Sequence, residues 1–114
     1  MTKQKRISKN EFRYNYNTKH MNYVFEEQGK KYHSLGLTTK KHTRDKNKKW
    51  HKNMPLDVNA KSGESKKSYI RYGYITQNQN TFGKIDKRFK FANEDKQKVK
   101  SKIRYFKNQR RKKQ

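Results

Sequence analysis

The chain has 114 residues, of which 33 are Lys or Arg and 9 are Asp or Glu, giving a formal net charge of +24. This length allows one small domain, and so large a charge destabilises the compact state unless a polyanion offsets it. Cysteine is absent, which excludes disulfides and thiolate metal sites and predicts a cytoplasmic protein. No apolar run reaches the ~18 residues of a membrane span, so no membrane partner is predicted.

The first 18 residues are polar and basic, with alternating Phe12, Tyr14 and Tyr16. The alternation fits a short strand or docked arm, whereas the charge fits a flexible arm, and both interpretations stay open. We place a basic arm at residues 1–18, a single domain at 19–108 and a basic tail at 109–114, without assigning an oligomeric state.

A β-hairpin is the clearest local prediction. Residues 21–38 are rich in aromatic and β-branched side chains, and Gly29 lies where a turn is expected. Alternation along the second strand places His33, Leu35 and Leu37 on one face of the sheet.

The middle of the chain is more polar. Residues 40–53 show neither a helical nor a strand period, so we predict a long basic loop in which Trp50 either anchors the loop or is presented to a base. Residues 54–67 also have the composition of a loop, and residues 68–76 predict a strong strand.

The C-terminal part predicts short strands followed by a helix. One or two strands are expected within residues 82–91, and Asn93 is a favourable N-cap residue. Val99, Ile103 and Phe106 then recur at helical spacing as one apolar stripe. The element order predicts an α+β domain: a small antiparallel sheet with a C-terminal helix and basic, partly disordered ends.

Basic residues are concentrated in residues 40–52 and 98–113. Lys and Arg in such stretches contact phosphates, and neighbouring aromatic rings stack on bases. The sequence therefore predicts a nucleic-acid-binding protein, with RNA favoured over DNA. The predicted contact residues are Lys40, Lys41, Arg44, Lys48, Lys49, Trp50, Lys52, Arg104, Lys107, Arg110 and Arg111.

Four short motifs follow one another between residues 32 and 100. They are His33-Ser34-Leu35-Gly36-Leu37-Thr38, Lys52-Asn53-Met54-Pro55-Leu56, Ser68-Tyr69-Ile70-Arg71 and Asn93-Glu94-Asp95-Lys96. This succession resembles small nuclease domains of phages and mobile elements, in the broad barnase, colicin and RelE-like group. The resemblance implies a toxin-like ribonuclease that has an antitoxin as a partner.

Metal-free RNA cleavage requires a base, an acid and cations that stabilise the charged transition state. A histidine serves either proton role, an arginine stabilises charge, and a tyrosine stacks or donates. The candidate catalytic residues are therefore His33, Arg71 and Tyr69, provided that their strands share one face of a sheet. Each also has a structural alternative: His33 as a half-buried histidine, Arg71 as a surface contact and Tyr69 as a packing residue.

The sequence leaves three functions open. The chain is a metal-free ribonuclease, a non-catalytic DNA- or RNA-binding regulator or inhibitor that docks on a host nucleoprotein complex, or a structural protein associated with RNA. No cofactor is predicted. No metal site is predicted either, because the four histidines lack both cysteine partners and i, i+4 spacing.

Overall fold

A computed structural model of the chain describes residues 5–112, with side chains through residue 110. Six of its strands form one antiparallel sheet in the order Met54–Pro55, Tyr69–Asn78, Lys31–Thr38, His20–Gln28, Arg6–Asn15, Phe82–Ile85, and His42–Arg44 pairs with Trp50–Lys52 in a separate hairpin. The predicted α+β class is confirmed, whereas the outermost residues, 1–4 and 113–114, lie outside the described part. The elements are β1 (Arg6–Asn15), β2 (His20–Gln28), β3 (Lys31–Thr38), β4 (His42–Arg44), β5 (Trp50–Lys52), β6 (Met54–Pro55), β7 (Tyr69–Asn78), a 3₁₀ turn (Gln79–Thr81), β8 (Phe82–Ile85) and α1 (Asn93–Lys112).

The predicted hairpin is present as β2 and β3. Gly29 has φ of +59° in the two-residue connection, a backbone conformation that glycine adopts without steric cost. His33, Leu35 and Leu37 are buried on the face that packs towards α1, as the alternation predicted.

The N-terminal segment is part of the sheet. Of the two interpretations of residues 1–18, strand and flexible arm, the strand holds for residues 6–15, because β1 pairs with β2 on one side and with β8 on the other. Phe12 is buried in the core, whereas Tyr14 and Tyr16 stay exposed near the end of the strand.

The main core lies between the sheet and α1. The predicted stripe of Val99, Ile103 and Phe106 belongs to the same apolar cluster as Leu35 and Ile70 of the sheet. Burying a side chain of this size contributes about 1.5–3 kcal/mol.

The start of α1 is fixed by a buried carboxylate. The helix begins at Asn93 itself, so the prediction of Asn93 as the N-cap is wrong by one residue, and Ala92 takes that place by accepting from the Asp95 amide at 2.9 Å. Asp95 is fully buried and accepts from the backbone amides of Asp57 at 2.8 Å and Val58 at 2.9 Å. Among the described residues, no helix has both the length and the apolar character needed to cross a bilayer.

On the side away from α1, the sheet curls so that β1 and β7 approach each other. Asn15 of β1 donates through Nδ2 to Oε1 of Gln77 in β7 at 2.6 Å, although β2 and β3 separate these strands. The curl buries a second, smaller apolar cluster of Val24, Tyr32 and Phe82.

Candidate nucleic-acid interface

The predicted basic loop is a short β-hairpin. The absence of strands predicted for residues 40–53 is wrong, because β4 pairs with β5 and Arg44 lies opposite Trp50. The turn closes through two backbone bonds, from the Asp45 amide to the Lys49 carbonyl and from the Lys48 amide to the Asp45 carbonyl, both of 2.9 Å. We call residues 40–52 the basic hairpin.

Asp45 is the one acidic residue of the basic hairpin, and its carboxylate accepts hydrogen bonds from groups within the hairpin. Oδ1 accepts from the amides of Asn47 at 2.8 Å and Lys49 at 3.0 Å, and Oδ2 accepts from His51 Nε2 at 2.7 Å. The His51 hydrogen bond, followed by the backbone amides, lowers the pKa of Asp45. Asp45 therefore organises the turn rather than pairing with a neighbouring lysine.

The basic hairpin is anchored to β7 through Asn53. The buried Asn53 donates through Nδ2 to the Lys40 carbonyl at 3.0 Å and to Thr43 Oγ1 at 2.7 Å, and its Oδ1 accepts from the Tyr72 amide at 3.1 Å. The His51 ring stacks on Tyr72 with centroids 4.1 Å apart. The hairpin is thus held in a defined orientation relative to the sheet.

The cations of the basic hairpin point into solvent. Trp50 is 66% exposed, and the Arg44 guanidinium lies 5.4 Å from its ring centroid. Because exposed Lys and Arg contact phosphates while an exposed indole stacks on a base, this arrangement suits a nucleic acid. The exposed cations are Lys40, Lys41, Arg44, Lys46, Lys48, Lys49 and Lys52.

Arg71 adds a cation at the end of the sheet beside the hairpin, where Lys40 is also close to His20. Arg71 packs against Gly36, where a Cβ atom would be 3.0 Å from Arg71 Cδ, so the glycine makes room for the arginine. His20 lies beside Arg71, and partial burial, then the charges of Arg71 and Lys40, lower the pKa of His20. Sequence patterns did not single out His20, because its neighbours come from distant parts of the chain.

His33 is held inside the core. Its Nε2 donates to Gln28 Oε1 at 3.0 Å and its Nδ1 accepts from the Thr76 hydroxyl at 2.7 Å, so both ring nitrogens are engaged. Burial lowers the pKa of His33, and the charge of Arg110 adds to that effect although Glu26 opposes it. His33 is therefore a neutral, hydrogen-bonded core residue at neutral pH.

The three candidate catalytic residues are not brought together. Arg71 contacts Gly36, which alternates with the core residues Leu35 and Leu37, so Arg71 and His33 lie on opposite faces of the sheet. Tyr69 pairs with Thr38 at one end of β3, whereas His33 lies towards the other end. The predicted convergence on one face does not occur, because Ile70 pairs with Leu37 and lies on the core face of β7, which leaves the next residue, Arg71, on the other face.

Two of the predicted contact residues on α1 hold a buried carboxylate. Glu26 is 3% exposed, and Arg110 Nη1 donates to its Oε1 at 2.8 Å while Lys107 Nζ lies 3.4 Å from its Oε2. Burial raises the pKa of Glu26, but the hydrogen bond and charge of Arg110, followed by Lys107, outweigh it and leave the pKa of Glu26 below its ordinary value. Arg104 is exposed, and the side chain of Arg111 lies outside the described residues.

Comparison with known proteins adds no relative. The chain matches no protein-family model, no curated protein and no solved structure. The resemblance to nuclease domains stays a prediction.

The structure separates the predicted contact residues into two groups. Those of the basic hairpin are exposed together on one anchored element, whereas Lys107 and Arg110 form part of the fold. Lys46 belongs to the first group and was not predicted. The signal was available, since Lys46 lies within the same basic run, but sequence alone does not show which lysines lie at the turn.

Proposed function

We propose that the protein binds nucleic acid, with RNA favoured over DNA, through the basic hairpin and the cations at the adjacent end of the sheet. The observation that carries the proposal is the basic hairpin itself: seven exposed cations and an exposed indole on an element whose single carboxylate is internally bonded. Release of counterions from phosphates supplies the binding free energy.

The exposed indole supports a ligand with unpaired bases, which is the form of RNA that proteins mostly recognise, over duplex DNA. Sequence-specific recognition of RNA is directed mostly at unpaired bases that stack on aromatic side chains. Trp50 offers such a ring beside several cations, whereas a purely electrostatic surface would favour the higher charge density of a duplex.

Cleavage is not part of the proposed function. His33 has both nitrogens engaged and lies across the sheet from Arg71, so the predicted acid, base and cation do not face one substrate.

The proposed location is cytoplasmic, which is consistent with the lack of cysteine.

Trp50 provides the test, because it is the one tryptophan in the chain and lies in the basic hairpin. Purified protein is titrated with single-stranded RNA, single-stranded DNA and duplexes, while tryptophan fluorescence and the anisotropy of a labelled strand are followed together. We expect saturable quenching of Trp50 that coincides with the anisotropy change, and tighter binding to RNA.

Three outcomes are distinguishable. Binding with an unchanged Trp50 signal would move the interface away from the basic hairpin. Absence of binding to every nucleic acid would refute the proposed function and direct the search to a host nucleoprotein complex. RNA that remains intact in the bound fraction would agree with binding without cleavage.

A further inference from the structure

Two tyrosines form an exposed aromatic groove at the β1–β8 edge of the sheet. Tyr14 is 39% exposed and Tyr16 is 63% exposed, and their ring centroids are 5.5 Å apart with planes at 68°. The rings border a groove of ≈ 440 Å³ that Met21 and Ile85 also line. We call this the tyrosine groove. Tyr14 and Tyr16 are outside both buried clusters, so core packing does not explain these aromatic side chains.

The Tyr16 ring lies against Gly83 and beside the Tyr14 ring. Its backbone amide donates to the Thr81 carbonyl at 2.9 Å, and its hydroxyl lies over Gly83, where a Cβ atom would be 2.9 Å from the oxygen. Arg13 Nη1 fixes the same glycine by donating to its carbonyl at 2.9 Å. A ring that is already positioned loses little conformational freedom when a ligand stacks on it.

The rim of the tyrosine groove is positively charged. Lys84 and Lys87 are exposed and make no ion pair within the described part of the chain. The one carboxylate of the rim, Asp86, is bound by Arg88 through Nε at 3.0 Å and Nη2 at 2.7 Å. Two lysines are therefore left to meet an anionic ligand beside the rings.

The tyrosine groove and the basic hairpin lie at the same end of the sheet. Tyr14 pairs with Met21 at the start of β2, and the next pair joins Asn15 to His20, which lies beside Arg71 and Lys40. In the sheet, β2 and β3 lie between β1 and β7. Arg71, near the start of β7, therefore lies at the same end of the sheet as Tyr14 and Tyr16.

We propose that the tyrosine groove is a stacking site for an unpaired nucleobase, with the flanking phosphates on Lys84 and Lys87, so that the ligand is a single strand rather than a duplex. The inference rests on the proposed function and specifies its ligand. A ring stacks on a base face only when that face is free, and in a duplex both faces are covered by neighbouring base pairs. Charge complementarity at the rim selects this occupant over an uncharged apolar one.

The test compares single strands with blunt duplexes of the same sequence, about 12 nucleotides long. Tyr16→Ala removes the ring, Tyr16→Phe keeps it, and Tyr16→Leu keeps apolar bulk without aromaticity. Tyr105→Ala is the matched control, since Tyr105 is 59% exposed on α1. We expect Tyr16→Ala and Tyr16→Leu to lower single-strand affinity by about 5- to 150-fold, while Tyr16→Phe, Tyr105→Ala and all duplex affinities stay close to wild type.

A photocrosslinking experiment gives an independent readout on the unmodified protein. A 4-thiouridine-containing single strand is crosslinked, and the modified peptides are identified by mass spectrometry. Crosslinks at residues 14–16 support the inference. Equal single-strand affinity of Tyr16→Ala and wild type, or crosslinks confined to the basic hairpin, would overturn it while leaving the proposed function intact. Loss of binding by the wild type to every nucleic acid would refute both.

Discussion

The number of phosphates that the basic hairpin contacts can be measured by removing two of its charges. We predict that Lys46→Gln combined with Lys49→Gln weakens binding and reduces its salt dependence. Both side chains are exposed, and the turn uses only backbone atoms of Lys49, so glutamine leaves the hairpin intact. The matched control is Lys30→Gln with Lys31→Gln, which removes the same charge at the opposite end of β2 and β3.

The magnitude follows from counterion release. Each phosphate contact on a single strand contributes about 0.7 to the slope of log affinity against log salt, so two lost contacts reduce the slope by about 1.4. Between about 50 and 200 mM salt, the wild-type affinity should fall about sevenfold further than that of the hairpin variant. At 0.15 M salt the Debye length is about 8 Å, so the distant control should keep the wild-type slope.

The assay is fluorescence anisotropy of a labelled single-stranded RNA at four or more salt concentrations, with circular dichroism as the check of folding. A slope that falls equally in the hairpin variant and in the control would mean that net charge, rather than the hairpin, determines binding. An unchanged slope in the hairpin variant would remove these lysines from the interface and refute the reasoning.

Three further predictions concern stability and the turn. Arg110→Ala leaves the buried Glu26 with one cation fewer and should lower the free energy of unfolding by about 1.5–3 kcal/mol. Arg104→Ala, at an exposed position, should change it by less than about 0.5 kcal/mol. Urea denaturation measures both values, and equal effects would contradict the role of Arg110. The pKa of His33 is lowered in the folded protein, so below pH 6.5 the unfolded chain takes up a proton that the folded protein does not. The free energy of unfolding should therefore fall on acidification, and it should fall less steeply in His33→Gln. Equal slopes of unfolding free energy against pH in the two proteins would exclude this contribution. Lys48 has φ of +65°, so Lys48→Gly should preserve the hairpin. Lys48→Val should speed amide hydrogen exchange in the turn about 5- to 30-fold, because a β-branched residue is strained at this φ. Equal exchange rates in the two variants would show that the turn imposes no such strain.

The parts of the fold that sequence patterns predicted are those in which burial follows a period. Alternation defined β3 and the face of His33, and the stripe ending at Phe106 defined α1. The basic hairpin was missed because its strands are stabilised by hydrogen bonds from Asp45 and Asn53 rather than by an apolar face. Hydrophobic periodicity carries no information about such strands.

The candidate interface was predicted in composition but not in arrangement. Lys107 and Arg110 were predicted to contact nucleic acid. Their partner Glu26 lies on a distant strand, so no local signal in the sequence indicated their role within the fold. The assignment of His33 and Arg71 to one site failed for a related reason. Whether residues on two strands share a face depends on the register between β3 and β7, which includes an irregularity between Leu35 and Leu37.

The position of β1 within the sheet has a consequence for biosynthesis. β1 pairs with β2 through a short connection, but its other edge pairs with β8, with Arg13 opposite Ile85. During translation the first pairing can form early, whereas the second waits until most of the chain has left the ribosome. Pairings of such large sequence separation slow folding, so the nascent chain carries an open strand edge for much of its synthesis. The lysines and arginines along that early segment oppose intermolecular strand pairing during the interval, a role in folding that is separate from any ligand.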